Sequence, residues 1–429
     1  MKLSIIGTGH IGLVTAACFA DHGHSVIGVD NDEAKINLLK SGQMPIYEPG
    51  LDAIVRKNVD AGRLSFSGDI GDGVRASDVI FITVGTPAKA NGGSDLSYVD
   101  GVAQDIARSL DGYKVIVEKS TVPVRTGERI RQVLRLYNRS AKFDLASVPE
   151  FLREGSAVAD FMNPDRIVIG VDSPRAEAVM REIFQPIAAK LVVTDVKSAE
   201  LIKHASNSFL ALKISYINAV ATLCEKVGAD VEKVAEGMGA DRRIGREFLN
   251  AGVGYGGYCF PKDVAAFINI AEDLGYQFDL LKAVAQINQE QRLRVVSKLQ
   301  EVLWTLKGKT ICVLGLSFKP NTDDVRDAPA IEIIQLLQAE GATVKAYDPA
   351  GMKNASELVQ GVEFCKDPYE AATGAHAVAV LTEWPEFKQL DMERLRKVMT
   401  LPVLIDGRNI YIGDKLRALG FEYRAFGRS

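Results

Sequence analysis

The chain has 429 residues, more than one ordinary hydrophobic core serves, so two or three domains are expected. Lys plus Arg number 51 against 55 Asp plus Glu, a net charge of -4 with no basic run, which excludes a surface that tracks a phosphate backbone and so nucleic acid as a partner. Five scattered cysteines without a Cys-x-x-Cys pair exclude a disulfide framework and fit a reduced, cytoplasmic protein, the five histidines lack metal-ligand spacing, and neither a signal peptide nor an apolar run of about 18 residues is present.

Lys2 to Ile6 reads as a short apolar strand, followed by Gly7-Thr8-Gly9-His10-Ile11-Gly12, a helix to about His22, and a second strand from Ser25 to Val29 that ends at Asp30. In a dinucleotide-binding βαβ unit the first glycine makes the tight turn, the second admits pyrophosphate, and the third lets helix pack on strand. Asp30, 18 residues after Gly12, stands where a carboxylate accepts the adenosine ribose hydroxyls, and its charge favours NAD over NADP. Ala76 to Val84 and Tyr113 to Glu118 are nearly continuous apolar strands, and each ends in small or polar residues, Gly85-Thr86-Pro87 and Lys119-Ser120-Thr121-Val122-Pro123. Such ends form the ligand rim of a parallel sheet. A further strand, Phe143 to Val148, leads into Pro149-Glu150-Phe151-Leu152-Arg153-Glu154-Gly155, where on a helical turn the two glutamates would share a face. They are either a solvated pair or a pair used by a ligand.

From about Ala199 to Val227 the apolar spacing is helical without interruption, a rod of about 40 Å that can connect two domains. Lys203 and Asn207 lie four apart on it, a spacing that by itself fits a routine surface pair. Further helix is expected over Asp230 to Met238, Phe248 to about Ala251, Asp263 to Leu274 and Phe278 to Leu303. Between them Gly252-Val253-Gly254-Tyr255-Gly256-Gly257-Tyr258-Cys259-Phe260-Pro261-Lys262-Asp263 places a cysteine at the end of a glycine loop, beside a cation and a carboxylate. That context suits a reactive thiolate as well as an inert cysteine. From Lys309 the strand, turn, helix, strand and acid order of residues 2–30 recurs, ending at Tyr347 and Asp348, and Gly374 to Thr382 echoes Ala76 to Thr83. The expected fold class is α/β, two Rossmann-like doubly wound domains joined by a helical central region with a long helix. The second unit has Ser317-Phe318-Lys319 in place of a Gly-x-x-Gly, so it should not bind a dinucleotide in the same way; its loop charges Lys319, Asp323, Asp324 and Arg326 suit either phosphate or solvent.

These stretches resemble the UDP-glucose/GDP-mannose dehydrogenase family over essentially the whole chain. The matching segments are Gly7 to Gly12 with Asp30, Val84-Gly85-Thr86-Pro87, Glu118 to Pro123, Pro149 to Gly155, Asp160-Phe161, Pro164-Asp165-Arg166, Lys203 with Asn207, Arg243-Ile244-Gly245, Gly254 to Asp263, Phe318-Lys319 with Arg326, and Asp406-Gly407-Arg408. The resemblance implies an NAD domain over residues 1–197, a helical dimerisation segment over 198–303 and a nucleotide-sugar domain over 304–429. It also implies oxidation of a sugar C6 alcohol, that of UDP-glucose, to a carboxylate through a cysteine thiohemiacetal and thioester. GDP-mannose or a UDP-N-acetylhexosamine is the alternative substrate.

Carried over by position, Cys259 is the nucleophile, Lys203 and Asn207 hold the oxyanion, and Thr121, Glu150 and Asp263 place water and move protons, with Glu150 the general base. NAD is held by Gly7, Gly9, His10, Ile11, Gly12, Asp30, Lys35, Thr86, Thr121, Glu154 and Arg326. The sugar nucleotide is held by Glu150, Phe151, Leu152, Lys203, Asn207, Phe248, Asn250, Tyr255, Gly256, Phe318, Lys319 and Arg408, with Arg243 reaching from a partner in a homodimer or higher oligomer. Two positions depart from the family pattern: Val148 where Asn is common, and Tyr258 where Ser is common. A 3-hydroxyacid dehydrogenase shares the amino-terminal unit and a helix with Lys and Asn, but needs neither Cys259 nor a second α/β domain. A non-catalytic NAD sensor needs none of Thr121, Glu150, Lys203, Asn207, Cys259 and Asp263.

Overall fold

The computed structural model describes residues 1–89 and 92–428. They divide into two compact units, Met1–Ser206 with Ala265–Leu274, and Asn207–Val264 with Gly275–Ser429. In chain order the first unit runs β1 (Lys2–Ile6), α1 (His10–Asp21), β2 (Ser25–Val29), α2 (Glu33–Lys40), α3 (Leu51–Asp60), β3 (Leu64–Ser67), α4 (Ile70–Ala76), β4 (Val79–Ile82), α5 (Ser97–Ser109), β5 (Tyr113–Glu118), α6 (Thr126–Tyr137), β6 (Lys142–Ser147), α7 (Ala157–Met162), β7 (Arg166–Val171), α8 (Pro174–Phe184) and β8 (Lys190–Thr194). Its sheet has the order β3-β2-β1-β4-β5-β6-β7-β8, parallel except where β7 meets β6. Strand order reverses between β1 and β4, which opens a crevice at their carboxyl ends.

Alternate residues explain why the strands are apolar throughout. Leu3, Ile5, Val79, Phe81, Val115 and Val117 join one buried cluster, with Phe19 against Phe81, Phe161 and Phe184. Their neighbours Ile6, Ile80, Ile82 and Ile116 join another, with Val102, Ile106 and Ile130. Successive side chains of a strand point to opposite faces, so helices on both faces require both sets to be apolar.

The helix α9 (Val196–Val227) passes from the first unit into the second, 32 residues and about 48 Å long. Next come α10 (Val231–Gly239), α11 (Cys259–Asp273) and α12 (Asp279–Leu303). The second sheet is built from β9 (Thr310–Leu314), α13 (Pro329–Ala339), β10 (Thr343–Tyr347), α14 (Met352–Leu358), β11 (Val362–Phe364), α15 (Pro368–Ala372), β12 (Ala377–Val380), α16 (Pro385–Lys388), α17 (Met392–Val398), β13 (Val403–Asp406), α18 (Gly413–Ala418) and β14 (Glu422–Ala425). It is fully parallel in the order β11-β10-β9-β12-β13-β14, again reversing beside its first strand. No helix among the described residues is long and apolar enough to cross a membrane.

Several boundaries differ from expectation. The strand expected from Ala76 begins at Val79, because the Asp69 carboxylate accepts the Gly71 amide (2.7 Å) and caps a helix that runs to Ala76. The helix expected over Phe248 to Ala251 does not form: a turn ends at Phe248, left-handed at φ 64°, and irregular chain follows. The helix expected from Asp263 begins at Cys259, since Pro261 fits a first turn without loss of a helical hydrogen bond. Glu150 and Glu154 do not share a helical turn. Residues 150–153 are in neither helix nor strand, and the Glu150 carboxylate accepts the Leu152 amide (2.6 Å).

Candidate active site

In the first unit the glycine turn after β1 is closed by Gly7, whose φ of 99° and amide bond to Val29 O (2.7 Å) turn the chain into α1. A Cβ on Gly12 would lie 1.7 Å from Gly7 O, so only glycine lets the helix approach the strand. The start of α1 has no side-chain cap and no acid in its first turn, leaving the amides about Gly9, His10 and Ile11 suited to a diphosphate. Asp30 accepts hydrogen bonds from the Thr8 amide (2.8 Å), Thr8 Oγ1 (3.0 Å), the Asp32 amide (3.1 Å) and Lys35 Nζ (2.9 Å). Burial acts to raise its pKa, but Lys35 and these donors outweigh it and hold the carboxylate below its ordinary value. The turn, the bare helix end and the fixed acid fit NAD, with Lys35 as the acid's partner.

The rim beyond β4 and β5 is tightly bonded. Thr86 Oγ1 donates to Thr121 O (2.7 Å), Ser120 Oγ to Val84 O (2.7 Å), and His204 Nε2 on α9 bonds Val122 O (2.7 Å). Lys203, from the same helix, donates to Glu150 Oε1 at 3.1 Å, and both are buried. The Phe151 ring lies near two cations, Arg166 at 3.7 Å and Lys203 at 5.4 Å from its centre. Leu152 packs against the first unit's core, so its side chain supports the segment from below. Val148 does the same, and its amide donates to Glu118 O (2.8 Å). An apolar residue therefore suits that position. Glu154 is half-buried in the turn that leads to α7.

In the second unit Cys259 opens α11. Among the described residues no cysteine is in a disulfide, and Cys259 is half-buried where the other four are buried. Lys262, the cation that follows it in sequence, is paired with Asp263 (2.7 Å), so the positive end of a 15-residue helix adds to the field at the sulfur. Asp263 also accepts from Asn207 Nδ2 (2.5 Å). Lys203 and Asn207 thus hold different carboxylates, Glu150 and Asp263.

The loops assigned to the sugar nucleotide meet within this unit. Gly256 has Asp327 O within 2.3 Å of an ideal Cβ, and Gly257, at φ 80°, has the Phe318 ring within 2.7 Å. The glycines here admit protein first. Tyr255 is fixed by paired bonds to Asn288 (2.8 and 3.0 Å) and stacks edge-on against Phe260, which also lies 6.2 Å from Phe248. Asn250 accepts from Arg246 (2.8 Å). Arg408 is turned inward to Leu381 O, Gly254 O and Phe318 O, and Lys319 lies by the Phe318 ring. Arg326 is gripped by Asp324 (2.7 and 2.9 Å) and stands 4.2 Å over the Tyr258 ring. Arg243 is 88 % exposed and bonds only its neighbour Asp241 among the pairs described. Asp348, the counterpart of Asp30, is consumed by the turn after β9: it accepts Leu316, Ser317, Ala350 and Gly351 amides and Trp384 Nε1. No acceptor is left there for a ribose.

Sequence reasoning gave no individual role to four buried groups. Glu48 bonds His10 (2.7 Å) and the Gly155 and Ala157 amides (2.7 and 2.9 Å), tying the glycine turn to the segment after Glu154. Its only signal is a lone acid between Tyr47 and Pro49. Lys119 is 5 % exposed near Glu150 and Lys203; burial foremost pushes its pKa from 10.5 down to about 8, against the pull of Glu150. Glu118 and Glu200 are both buried acids, and Glu200 accepts the Arg125 and Gly127 amides (both 2.7 Å). All three of these sit in apolar or helical stretches where a single charge carries no periodic signal.

The chain matches three consecutive domains of the UDP-glucose/GDP-mannose dehydrogenase family: the NAD binding domain over residues 1–188, the central domain over 197–290 and the UDP binding domain over 312–413. It is 50% identical over 429 residues to the UDP-glucose 6-dehydrogenase TuaD of Bacillus subtilis, covering 100% of this chain and 93% of that protein. Against the UDP-glucose 6-dehydrogenase of Rhizobium meliloti it is 50% identical over 435 residues, covering 100% of both. A solved UDP-glucose dehydrogenase from the archaeon Pyrobaculum islandicum superposes with a TM-score of 0.94 at 39% identity, covering 100% of this chain and 98% of that one. Family domains in order and full-length likeness lead to one conclusion: the chain belongs to the UDP-glucose/GDP-mannose dehydrogenase family.

Proposed function

We propose that this chain oxidises the C6 alcohol of UDP-glucose to the carboxylate of UDP-glucuronate, in two successive two-electron steps with NAD. The observation that carries the reading is Cys259 at the start of α11, with the buried Asn207–Asp263 and Glu150–Lys203 pairs, all within residues matched by the family's NAD binding and central domains. Bound NAD supplies the hydride acceptor for each step. Gly7, Gly9, Gly12 and Asp30 hold it, with His10, Ile11, Lys35, Thr86, Thr121, Glu154 and Arg326 around them.

The C6 hydroxyl loses a proton and a hydride to give the aldehyde. Cys259 Sγ attacks that carbonyl carbon, and the oxyanion of the thiohemiacetal is met by Lys203 Nζ and the Asn207 amide. Loss of a second hydride from C6 leaves a thioester. Water then adds to it, Glu150 accepts the water proton, and the C–S bond breaks to return the thiolate and release the carboxylate. Asp263 orients Asn207, and Thr121 orders water. Phe248, Asn250, Tyr255, Gly256, Phe318, Lys319 and Arg408 hold the nucleotide, with Phe151 and Leu152 supporting the sugar side.

The working division is residues 1–197 for NAD, 198–303 for the thiol and dimer contacts, and 304–429 for the sugar nucleotide. A homodimer is supported by an exposed apolar row on α9, Phe209, Tyr216, Leu223 and Val227, at spacings of seven, seven and four. Arg243, exposed in the turn after α10, reaches a partner's nucleotide in this reading.

The test is NADH formed per UDP-glucose at limiting sugar and excess NAD. Two NADH per sugar are expected, with net turnover lost in Cys259→Ala. One NADH per sugar would sink the thioester route, and no NADH with UDP-glucose would sink the substrate assignment.

A further inference from the structure

Two stretches assigned above to NAD in the first unit meet at one buried acid that the reaction does not use. Glu48 is the only buried residue from Ser41 to Gly50, in a run with neither helix nor strand that Met44 and Ile46 pack against the first unit's core. Its side chain is 0 % exposed and holds three donors. Oε2 accepts His10 Nε2 (2.7 Å) and the Gly155 amide (2.7 Å), and Oε1 accepts the Ala157 amide (2.9 Å). A carboxylate offers only acceptors, so Nε2 is a nitrogen of His10 that carries a proton. Three N–H groups are what a buried charge of this kind needs.

His10 is the first residue of α1 and Ala157 the first of α7, so Glu48 joins the starts of two helices. The helices touch again further along, where Phe19 meets Phe161 edge-on at 5.1 Å. The start of α7 has no side-chain cap from Ser156, and Glu48 supplies one from far off in the chain. Asp160 accepts the Arg153 amide (2.9 Å) and guanidinium (2.6 and 3.0 Å), closing residues 153–160 into one turn that carries Glu154. What holds Gly155 and Ala157 therefore holds Glu154, and what restrains His10 reaches them through one carboxylate.

We propose, on the roles given above to Glu150 and Glu154, that Glu48 is a positioning residue linking the dinucleotide turn to the 153–160 turn, so that NAD bound at the start of α1 also fixes Glu154 and the run from Glu150 before it. Only a carboxylate serves. In Glu48→Gln one end of the side chain is NH2, and whichever way round it lies it faces the N–H of Gly155 or of Ala157. His10 can meet an NH2 by changing tautomer, whereas a peptide N–H cannot.

Deuterium exchange of the peptides spanning 7–14 and 150–160, with and without saturating NAD, tests this on the full chain, beside calorimetric titration with NAD. In the wild type NAD is expected to slow both peptides. In Glu48→Gln, 150–160 should exchange about tenfold faster without NAD, NAD should bind about tenfold more weakly, and at saturation it should slow 7–14 alone. His10→Phe cuts the arm to the turn but leaves both amides on Glu48. Its 150–160 peptide should therefore start within about twofold of wild type and still lose its response to NAD. A wild-type 150–160 peptide that NAD does not slow overturns the link. So does a full response to NAD in His10→Phe, which would leave Glu48 a cap for α7 and nothing more. Turnover does not enter, so failure of UDP-glucose as a substrate would sink the reaction proposed above while this comparison still decides the link.

Discussion

Asp30 is held by four protein donors at the position proposed for the cofactor's ribose. Its depressed pKa means that the folded state holds the anion more tightly than the unfolded chain does. The stability it contributes is complete above the ordinary carboxylate value and is lost as pH falls through the lower folded one. Asp30→Ala is expected to lower stability at neutral pH, a deficit that shrinks as pH falls through the folded value, and to reduce the preference for NAD over NADP by about a hundredfold, the size of effect expected from losing a charged acceptor and a repulsive charge together. Ratios of kcat/KM for the two cofactors check it. Lys119 is the opposite case. A fall from 10.5 to about 8 means that its buried charge costs about 3 kcal/mol at neutral pH, a cost relieved as pH rises from about 8 toward 10.5. Lys119→Met should therefore melt several degrees higher at pH 7 while turning over more slowly, since it removes a cation facing Glu150; calorimetry beside steady-state rates tests both parts.

At the scale of elements, the start of α1 and the exposed row on α9 make the strongest claims. Gly12→Ala would drive a methyl against the Gly7 carbonyl, so α1 must shift or the turn must open. Loss of NAD binding is expected, together with destabilisation of about 2 kcal/mol or more, read by titration and by denaturant melting. On α9, a carboxylate in the middle of the apolar row should separate subunits without touching the buried face. Leu223→Glu is expected to give a monomer by light scattering, and an unchanged dimer would remove this row as the interface.

Across the whole molecule, two Rossmann-like sheets carry different ends of their turns. Asp30 keeps room for a ribose beside four protein donors, whereas Asp348 spends itself on the turn after β9 and on Trp384. The same strand order therefore serves different ligands. NAD is expected to slow hydrogen exchange in the turn after β1 and the rim after β4 and β5. UDP is expected to slow it in the loop before α11 and in residues 316–326, each by up to about 2.7 kcal/mol at a hundred times Kd. Protection of both regions by one ligand alone would contradict this division.

Periodicity and punctuation in the sequence were enough for the α/β class, the βαβ glycine turn with Asp30, the long helix and the restart near Lys309, because strands buried on both faces and helices with one apolar side each leave a repeating pattern. The resemblance of segments in fixed order added the family and its chemistry. What the sequence left open is where single groups meet. The start of α11 at Cys259, the irregular run from Glu150, the separate partners of Lys203 and Asn207, and the hidden Glu48, Lys119, Glu118 and Glu200 all depend on contacts between residues far apart in the chain. A buried charge or a cap is an isolated event with no period to read, and only the folded chain brings its partner within hydrogen-bond reach.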